Sequence, residues 1–243
     1  MSGSNELAGK YAVVTGGSGG IGSAIVRSLQ KAGATATPLD LSPPPDNDIP
    51  WLHCDVRSDD SVGSAVQQFF KQNGRLDLVI HAAGVSREAV VWKLAVEDWD
   101  MTQAVNLRGA FLLLRHAIPL MRQGRGGRVV LIGSINGSRG KFGTSAYSAS
   151  KAGMIGLAKS VARETGRFGI LVNVIEPGWV RTPLTEALPA AVRQAAEAES
   201  VLGSLLEVSD VTAAVLFLCG PGAGRITGQI LRVDAGQFLG GGA

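Results

Sequence analysis

The sequence is poor in cysteine: only Cys54 and Cys219 occur among 243 residues. The histidines, His53, His81 and His116, are equally scattered. Because no C-x-x-C pair or ligand-like histidine spacing occurs, neither a disulfide framework nor a metal site is indicated, and we expect no bound metal. A chain without disulfides suits a reducing compartment, so we expect a cytoplasmic protein.

Charge of one sign and long apolar runs are also lacking. The formal net charge is only +3, and no long block of like charges occurs, so we expect no nucleic-acid partner. No segment approaches the ~18 uninterrupted apolar residues that a membrane span requires. The first ten residues, MSGSNELAGK, do not combine a basic stretch with an apolar one. We therefore expect no membrane partner.

What the chain does contain is a regular alternation of short β-branched runs with longer amphipathic stretches. Strands are expected at 11–15, 34–40, 51–56, 76–84, 128–134, 170–178 and 226–234, and helices at 21–33, 58–73, 97–122, 145–167 and within 184–218. Apolar strands that alternate with helices indicate a parallel sheet covered on both faces. We predict an α/β fold, a Rossmann-type doubly wound parallel sheet, in a single domain over 1–243. The proline-rich LSPPPDNDIP after Asp40 predicts a loop at one crossover.

A glycine-rich turn, TGGSGGIG at 15–22, follows the first strand and opens the first helix. Glycines allow close approach to a pyrophosphate, which the helix N-terminus attracts. Two glycine frames fit, one through Gly16, Gly20 and Gly22, the other through Gly17, Gly19 and Gly22. Structural strand-to-helix corners also use such turns.

Asp40, at the end of the second strand, suits the adenosine ribose and would repel a 2′-phosphate. Ser18 and Leu41 flank this position without supplying a cation. The sequence therefore favours NAD(H) over NADP(H). The alternative interpretation is that Asp40 merely begins the turn before Pro43.

Tyr147 and Lys151 stand four residues apart in a predicted helix, so both project from one face. A phenol has a pKa near 10, and a neighbouring ammonium favours the phenolate, so Lys151 is expected to lower the pKa of Tyr147 and make it a usable acid or base. Ser134 follows a strand at the edge where open parallel sheets place ligands.

These features, in this order and spacing, resemble the short-chain dehydrogenase/reductase family, and within it the 3-oxoacyl reductases. The resemblance covers about Ala8 to Asp234. Its motifs are TGGSGGIG (15–22), Asp55-Val56, HAAG (81–84), AVNLRG around Asn106, IGS ending at Ser134, YSASK (147–151) and PGWVRTP (177–183).

The resemblance implies a catalytic tetrad of Asn106, Ser134, Tyr147 and Lys151. Tyr147 would exchange the proton at the substrate oxygen and Ser134 would polarise that oxygen. Lys151 would tune Tyr147 and bind the nicotinamide ribose, and Asn106 would support a water that leads protons to solvent. The expected cofactor-binding residues are Gly16, Ser18, Gly20, Ile21, Gly22, Asp40, Leu41, Asp55, Val56, His81, Ala82, Ala83, Gly84, Tyr147, Lys151, Pro177, Gly178, Val180 and Thr182.

Two departures from the family pattern stand out. The family usually has asparagine where this chain has His81, and a packed neutral imidazole with one hydrogen bond is expected there. The shortened crossover after Asp40 should leave the adenosine edge more open.

The sequence favours an NAD(H)-dependent oxidoreductase that interconverts a secondary alcohol and a ketone. The main alternative is a reductase of 3-oxoacyl thioesters, in which acyl carrier protein or CoA carries the acyl group. In this alternative NADPH remains open as the cofactor. Arg139 and Lys141 at the pocket edge keep that alternative open. A dihydrodiol dehydrogenase and a non-catalytic cofactor-binding regulator are further alternatives.

The segment from Thr182 to Leu206 is expected to shape an apolar substrate pocket. Its candidate lining residues are Trp179, Leu184, Leu188, Val201, Leu202 and Leu205. The family's equivalents of helices 97–122 and 145–167 pair between subunits, so a homotetramer or a dimer is implied.

Overall fold

One parallel sheet organises the computed structural model, which describes residues 5–45, 49–124, 126–187 and 189–240. Within these residues the sheet has seven strands in the order β3-β2-β1-β4-β5-β6-β7, and each neighbouring pair is parallel. The strands are β1 (Tyr11–Thr15), β2 (Thr35–Asp40), β3 (Leu52–His53), β4 (Leu78–His81), β5 (Gly127–Ile132), β6 (Ile170–Pro177) and β7 (Ile230–Val233). This confirms the predicted doubly wound fold.

Helices cover both faces of the sheet. The α-helices are α1 (Gly20–Lys31), α2 (Asp59–Asn73), α3 (Val96–Thr102), α4 (Gly109–Met121), α5 (Ile135–Arg139), α6 (Ser145–Thr165), α7 (Pro183–Glu186), α8 (Ala190–Ala198) and α9 (Val208–Cys219). One apolar core joins α2, α4 and α6 to the sheet, and a second core joins α1 and α9 to the opposite face. Buried apolar side chains on both faces explain why the strands are apolar almost throughout.

The strand order places a ligand crevice at the end of β1. This strand lies between β2 on one side and β4 on the other, so the chain changes direction across the sheet at this point. Open α/β sheets bind ligands at such a switch point, beyond the carboxyl ends of the strands. The glycine-rich turn that follows β1 therefore lies beside the end of β4.

The structure differs from the sequence predictions in several elements, and the strands expected at 76–84 and 226–234 are shorter, Leu78–His81 and Ile230–Val233. The strand expected at 51–56 is only Leu52–His53. The single helix expected at 97–122 is divided by a π-helical turn over Gln103–Arg108. The short helix α5 directly after Ser134 was missed, because five residues are too few to show a helical period. The crossover after Asp40 contains no helix in its described residues, 41–45 and 49–51.

Helix length also bears on the membrane question. Among the described residues, no helix combines the length and the apolar character needed to cross a bilayer.

Candidate active site

The glycine turn is built from close backbone approaches. Gly16 has a φ of +67°, and a Cβ there would lie 2.6 Å from the backbone of Ala83. A Cβ on Gly22 would overlap the Gly16 carbonyl, and one on Gly17 would lie 2.6 Å from Pro38 Cβ. Side chains at these three positions would therefore disrupt the turn itself. Both frames left open by the sequence contain glycines that the fold requires.

Gly19 and Gly20 differ from the other glycines of the turn. Their added Cβ atoms would meet their nearest neighbours only at 3.4 Å, which is ordinary contact. Helix α1 begins here, Gly19 supplies no side-chain cap, and Ile21 and Gly22 lie in its first turn. Free N–H groups at a helix N-terminus attract an anion. The turn can thus accept a pyrophosphate.

Asp40, at the end of β2, lies against the glycine turn. Its carboxylate accepts hydrogen bonds from the backbone N–H groups of Ser18 (2.9 Å) and Leu41 (2.7 Å). The Ser18 hydroxyl donates to the carbonyl of Ser42 at 2.8 Å. A carboxylate has about four acceptor positions, so Asp40 retains acceptors for ribose hydroxyls. Asp40 is therefore part of the glycine turn and more than the start of a loop.

Arg57 is a site residue that the sequence did not suggest. Its guanidinium holds the Asp55 carboxylate, with Nη2 2.7 Å from Oδ2 and Nε 2.9 Å from Oδ1. These bonds lower the pKa of Asp55 below its usual value. Val56, beside it, is buried and packs where Gly109 lacks a side chain. The Asp55 carboxylate, which the family resemblance assigns to the adenine, is thus oriented by an arginine two residues away.

Ser134, Tyr147 and Lys151 meet at the carboxyl end of β5. The Ser134 hydroxyl accepts the backbone N–H of Asn136 at 3.2 Å and thereby caps α5. The Lys151 ammonium donates to the carbonyl of Ile132 at 2.7 Å, and Nζ lies 5.5 Å from the centre of the Tyr147 ring. The predicted pair therefore projects from one face of α6 toward Ser134.

The pKa of Tyr147 is shifted in the direction opposite to the one expected from the sequence. Burial raises the pKa of Tyr147, a hydrogen bond with Ser134 lowers it, and the charge of Glu88 raises it further. Burial also lowers the pKa of Lys151 from 10.5 to about 8. The expectation that Lys151 lowers the pKa of Tyr147 is wrong for this structure, because burial dominates and the ammonium is bound to Ile132.

Asn106 is fully buried inside the π-helical turn. Its side-chain oxygen accepts the N–H of Val85 at 2.8 Å, and its amide donates to the Val85 carbonyl at 3.0 Å and to the Ser150 hydroxyl at 2.9 Å. A Cβ on Gly84 would lie 3.5 Å from both Asn106 Oδ1 and Lys151 Nζ. The structure thus brings all four predicted tetrad residues to one end of the sheet.

His81 is the last residue of β4 and contacts Asn106. Its ring is fully buried between the Thr15 hydroxyl, 2.8 Å from Nδ1, and the Asn106 carbonyl, 3.1 Å from Nε2. Burial, helped by the charge of Lys151, lowers the pKa of His81 to about 3. The expected neutral, packed histidine is present, with two hydrogen bonds instead of one. Ala82 and Ala83 follow it and line the glycine turn.

The segment after β6 faces the glycine turn from the other side. Thr182 caps α7, and its Cβ lies 3.4 Å from the position that a Cβ on Gly20 would occupy. Gly178 donates its N–H to Val233 at 2.9 Å, so the turn after Pro177 is bound to β7. Val180 is buried in the core beside α9.

Gln237 is a second residue that the sequence missed. Its side chain accepts the N–H of Trp179 at 2.6 Å and donates to the carbonyl of Ala196 at 2.8 Å. A buried amide on the C-terminal segment therefore joins the turn after β6 to α8. No local pattern marks it, because its partners lie 58 and 41 residues away in the sequence.

Arg139 is bound within the protein instead of lining the pocket edge as a free cation. Its guanidinium donates to Asn136 Oδ1 (3.2 Å), to the Gln237 carbonyl (2.9 Å) and to Glu199 (2.8 Å). Lys141 is exposed, with its ammonium 4.4 Å from the centre of the Trp179 ring. Of the two cations that the sequence placed at the pocket edge, only Lys141 lies at the surface.

Of the six apolar residues expected to line the pocket, Trp179 is half-buried beside Lys141, and the other five divide into three groups. Leu205 is buried, whereas Val201 and Leu202 are largely exposed. Leu188 and the side chain of Leu184 lie outside the described residues. In this segment Leu205 therefore packs in the protein interior, whereas Val201 and Leu202 lie at the surface.

A glycine turn at the switch point and a tyrosine–lysine pair beside it together define a dinucleotide-linked oxidoreductase. A family model described as enoyl-(acyl carrier protein) reductase matches residues 16–237. Acetoacetyl-CoA reductase of Acinetobacter sp. (strain RA3849) is 34% identical, over 95% of this chain and 98% of its own. The (3R)-3-hydroxyacyl-CoA dehydrogenase of Canis lupus familiaris is also 34% identical, over 96% and 98%. The chain belongs to the short-chain dehydrogenase/reductase family, whose members are NAD(P)-dependent.

Further relatives agree with this assignment. The 3-oxoacyl-(acyl-carrier-protein) reductase FabG of Thermotoga maritima is 33% identical, over 96% of this chain and 100% of its own. Among solved structures, the ligand-free aldohexose dehydrogenase of Thermoplasma acidophilum superposes with a TM-score of 0.92 at 28% identity, over 98% and 97% of the two chains. The protein is thus an oxidoreductase of the alcohol/carbonyl type, 3-oxoacyl-reductase-like in sequence.

Proposed function

We propose that the protein transfers a hydride between NAD(H) and a secondary alcohol/ketone pair, with Tyr147 as the acid/base. The observation that carries this proposal is the convergence of Asn106, Ser134, Tyr147 and Lys151 beside Gly84, at the same sheet edge as the glycine turn. Four polar groups at one point of a crevice are typical of a catalytic site.

The residues of the crevice fit a dinucleotide. Gly16 and Gly22 leave no room for side chains, whereas Gly19 and Gly20 are less crowded, and Thr182 faces Gly20. In our proposal the turn holds the pyrophosphate, Asp55 and Val56 the adenine, and residues 177–182 the nicotinamide end. When bound, the nicotinamide would supply or accept the hydride.

The preference for NAD(H) rests on Asp40. Its carboxylate is held by Ser18 and Leu41, at the position where a ribose 2′-substituent is expected. A 2′-phosphate would carry negative charge against a carboxylate, and neither neighbouring side chain is a cation. Ribose hydroxyls would instead donate to the remaining acceptors of Asp40.

The tetrad residues would act on the substrate oxygen. A buried tyrosine with a raised pKa stays protonated at neutral pH, so Tyr147 is prepared to donate its proton to a carbonyl oxygen. The Ser134 hydroxyl would hold that oxygen and stabilise its developing charge. Lys151, with a pKa near 8, would remain mostly cationic beside the tyrosine, and Asn106 would keep the π-helical turn in place.

A carbonyl is the better candidate for reduction than a carbon–carbon double bond, although the family description names an enoyl reductase. The reason is chemical: Ser134 and Tyr147 are two hydroxyl donors linked by a hydrogen bond, and such a pair matches an oxygen atom.

A 3-oxoacyl thioester is the specific substrate class that we propose to test first. Acetoacetyl-CoA, 3-hydroxyacyl-CoA and 3-oxoacyl carrier-protein derivatives are named for relatives that cover nearly the whole chain. Since Arg139 is engaged with Glu199, Lys141 is the cation that would meet a carrier phosphate.

The experiment that tests the proposal is a four-way assay. The reduction of acetoacetyl-CoA and of a simple thioester-free ketone is measured with NADH and with NADPH, by following nicotinamide absorbance. The proposal predicts turnover of at least one ketone, with NADH favoured over NADPH. Faster turnover of the thioester would support the substrate class. Absence of turnover with any ketone would overturn the proposed reaction, and a preference for NADPH would overturn the assignment of Asp40.

We also propose that the chain assembles as a homotetramer or a dimer. Phe111 on α4 and Phe217 on α9 are each about half exposed, at 45% and 48%. Exposed aromatic residues on helices suit contact with a second subunit. A monomeric mass by light scattering would contradict assembly.

A further inference from the structure

Two sets of hydrogen bonds, one to the backbone and one to the side chain of Asn106, together link the glycine turn to the helix of Tyr147. The Thr15 hydroxyl is 2.8 Å from Nδ1 of His81, and Nε2 of His81 is 3.1 Å from the Asn106 carbonyl. The Asn106 amide donates to the Ser150 hydroxyl at 2.9 Å, which donates to the Tyr147 carbonyl at 2.7 Å. Thr15 precedes Gly16, so the two sets together link the cofactor turn to the proposed acid/base.

The contacts of His81 determine its tautomer. A carbonyl oxygen only accepts hydrogen bonds, so the Asn106 contact requires a proton on Nε2. In a neutral ring Nδ1 then accepts, and the Thr15 hydroxyl is its donor. The low pKa of His81, about 3, agrees with a neutral ring at physiological pH. Both ring nitrogens are therefore used, each in a defined role.

The contact between Nε2 of His81 and the Asn106 carbonyl is one that an asparagine at position 81 could not make. An asparagine side chain ends near the position of Nδ1, so it could reach Thr15 but has no atom at the position of Nε2. A glutamine is longer and could place its amide near Nε2. The bond to the Asn106 carbonyl is thus the contact that the imidazole adds at position 81.

That carbonyl lies inside the π-helical turn Gln103–Arg108. A π-helical turn is an uncommon, less favourable backbone arrangement and requires support from its surroundings. His81 holds the turn at the backbone of Asn106, whereas Val85 and Ser150 hold it at the side chain. The turn is therefore fixed from two sides.

We propose that His81 is a positioning residue that couples the glycine turn to Tyr147 by holding the π-helical turn at Asn106. This inference rests on the proposed function, in which Tyr147 and Asn106 serve hydride transfer. Displacement of reacting groups by ~1 Å can cost about 100-fold in rate, so loss of the bond should lower kcat rather than cofactor affinity.

The test compares two substitutions of the same residue. His81→Asn, which keeps only the Thr15 contact, is expected to lower kcat about tenfold and to change the KM for NADH less than threefold. His81→Gln, which can keep the Asn106 contact, is expected to retain kcat within about threefold. The matched control is His116→Asn, which removes a 2.8 Å histidine bond between the middle of α4 and Asp59 on α2, and which should leave kcat unchanged.

A double-mutant cycle separates positioning from general destabilisation. Ser150→Ala removes the bond to the Asn106 side chain, so its effect on kcat should be clearly less than multiplicative with that of His81→Asn. With His116→Asn the effects of His81→Asn should multiply. Multiplicative effects in both pairs, or a lower melting temperature with unchanged kcat in His81→Asn, would overturn the proposal.

A measurement that needs no substrate distinguishes failure of this inference from failure of the proposed function. Nitrogen-15 NMR of the wild-type protein should show the His81 ring as one neutral species protonated at Nε2. Hydrogen exchange at 103–108 should accelerate in His81→Asn and less so in His81→Gln. A ring protonated at Nδ1, or equal exchange in both variants, would overturn the role of His81 even if the enzyme turns over. If His81→Asn does not fold, the protonation state of the His81 ring in the wild-type protein, measured by the same NMR experiment, still decides the proposal.

Discussion

The Lys151 ammonium donates to the backbone carbonyl of Ile132 at 2.7 Å, so helix α6 is bonded to β5 two residues before Ser134. This bond holds a buried cation against the sheet and keeps it 5.5 Å from the centre of the Tyr147 ring. Burial raises the pKa of Tyr147, so the phenol is protonated at neutral pH. Burial lowers the pKa of Lys151 to about 8, so the side chain is still mostly cationic at neutral pH.

Tyr147→Phe should remove the proton donor and leave the fold intact. We expect kcat to fall by about 10²–10⁴-fold, the usual contribution of a general acid, with NADH affinity within about threefold of wild type. Steady-state kinetics and a fluorescence titration with NADH measure the two quantities. The control is Tyr11→Phe, because Tyr11 is the one other tyrosine of the sequence and lies on β1. A Tyr147→Phe enzyme that binds NADH and keeps most of its kcat would refute the assigned mechanism.

Lys151→Met should stabilise the fold near neutral pH and lower activity. The pKa of Lys151 falls from 10.5 to about 8 on folding, because burial penalises the charged form. Below pH 8 the folded state must hold a buried ammonium, and we expect the substitution to raise the free energy of unfolding by about 2 kcal/mol, after loss of the Ile132 bond.

The pH dependence of that gain has a defined sign. Between pH 8 and 10.5 the unfolded state binds more protons at Lys151 than the folded state, so wild-type stability from this residue rises with pH. The advantage of Lys151→Met should therefore shrink across that window. Urea unfolding of both proteins from pH 7 to 10.5 measures it. An advantage that is constant or grows with pH would contradict the lowered pKa.

Asp40→Asn should weaken the preference for NADH. The neutral amide removes the repulsion of a 2′-phosphate and can still accept a bond from the Ser18 N–H. We expect the ratio of NADPH to NADH affinity to increase about tenfold, which corresponds to about 1.4 kcal/mol. Titration with both reduced cofactors gives this ratio. Asp60→Asn, on the exposed start of α2, removes the same charge elsewhere and should leave the ratio unchanged. An unaltered ratio in Asp40→Asn would remove the basis for favouring NAD(H).

Gly22→Ala and Gly19→Ala should separate fold from ligand binding within one turn. At Gly22 an added Cβ overlaps the Gly16 carbonyl, so we expect a loss of at least about 2 kcal/mol in the free energy of unfolding. At Gly19, with φ −76° and its nearest atom at 3.4 Å, the loss should stay below about 1 kcal/mol.

The same two variants also test whether the glycine turn binds the pyrophosphate. Gly19→Ala should weaken NADH binding, because its methyl group enters the space that we assign to the pyrophosphate. Urea unfolding gives the stabilities and fluorescence titration the affinities. Equal stability losses in the two variants, or unchanged NADH affinity in Gly19→Ala, would argue against this division of roles.

Much of the fold and site could be predicted from the sequence because the signals are local. Apolar strands that alternate with helices specify a parallel sheet, and a four-residue spacing places Tyr147 and Lys151 on one helical face. The glycine turn is marked by residue types that a tight corner requires. The absence of a helix from the described residues of the crossover after Asp40, 41–45 and 49–51, was also predicted, because the prolines there disfavour a helix.

Only the tertiary structure decided which distant groups meet. Gln237 joins Trp179 to α8, Arg139 is bound to Glu199, and His81 reaches the Asn106 carbonyl, each across tens of residues. The π-helical turn at Gln103–Arg108 contacts His81, Val85 and Ser150, which lie outside it in the sequence, and so escaped the helical pattern. The sequence determined the residue types and the short spacings of the site. The direction of the Tyr147 pKa needed the fold, because burial is a property of everything packed around a group.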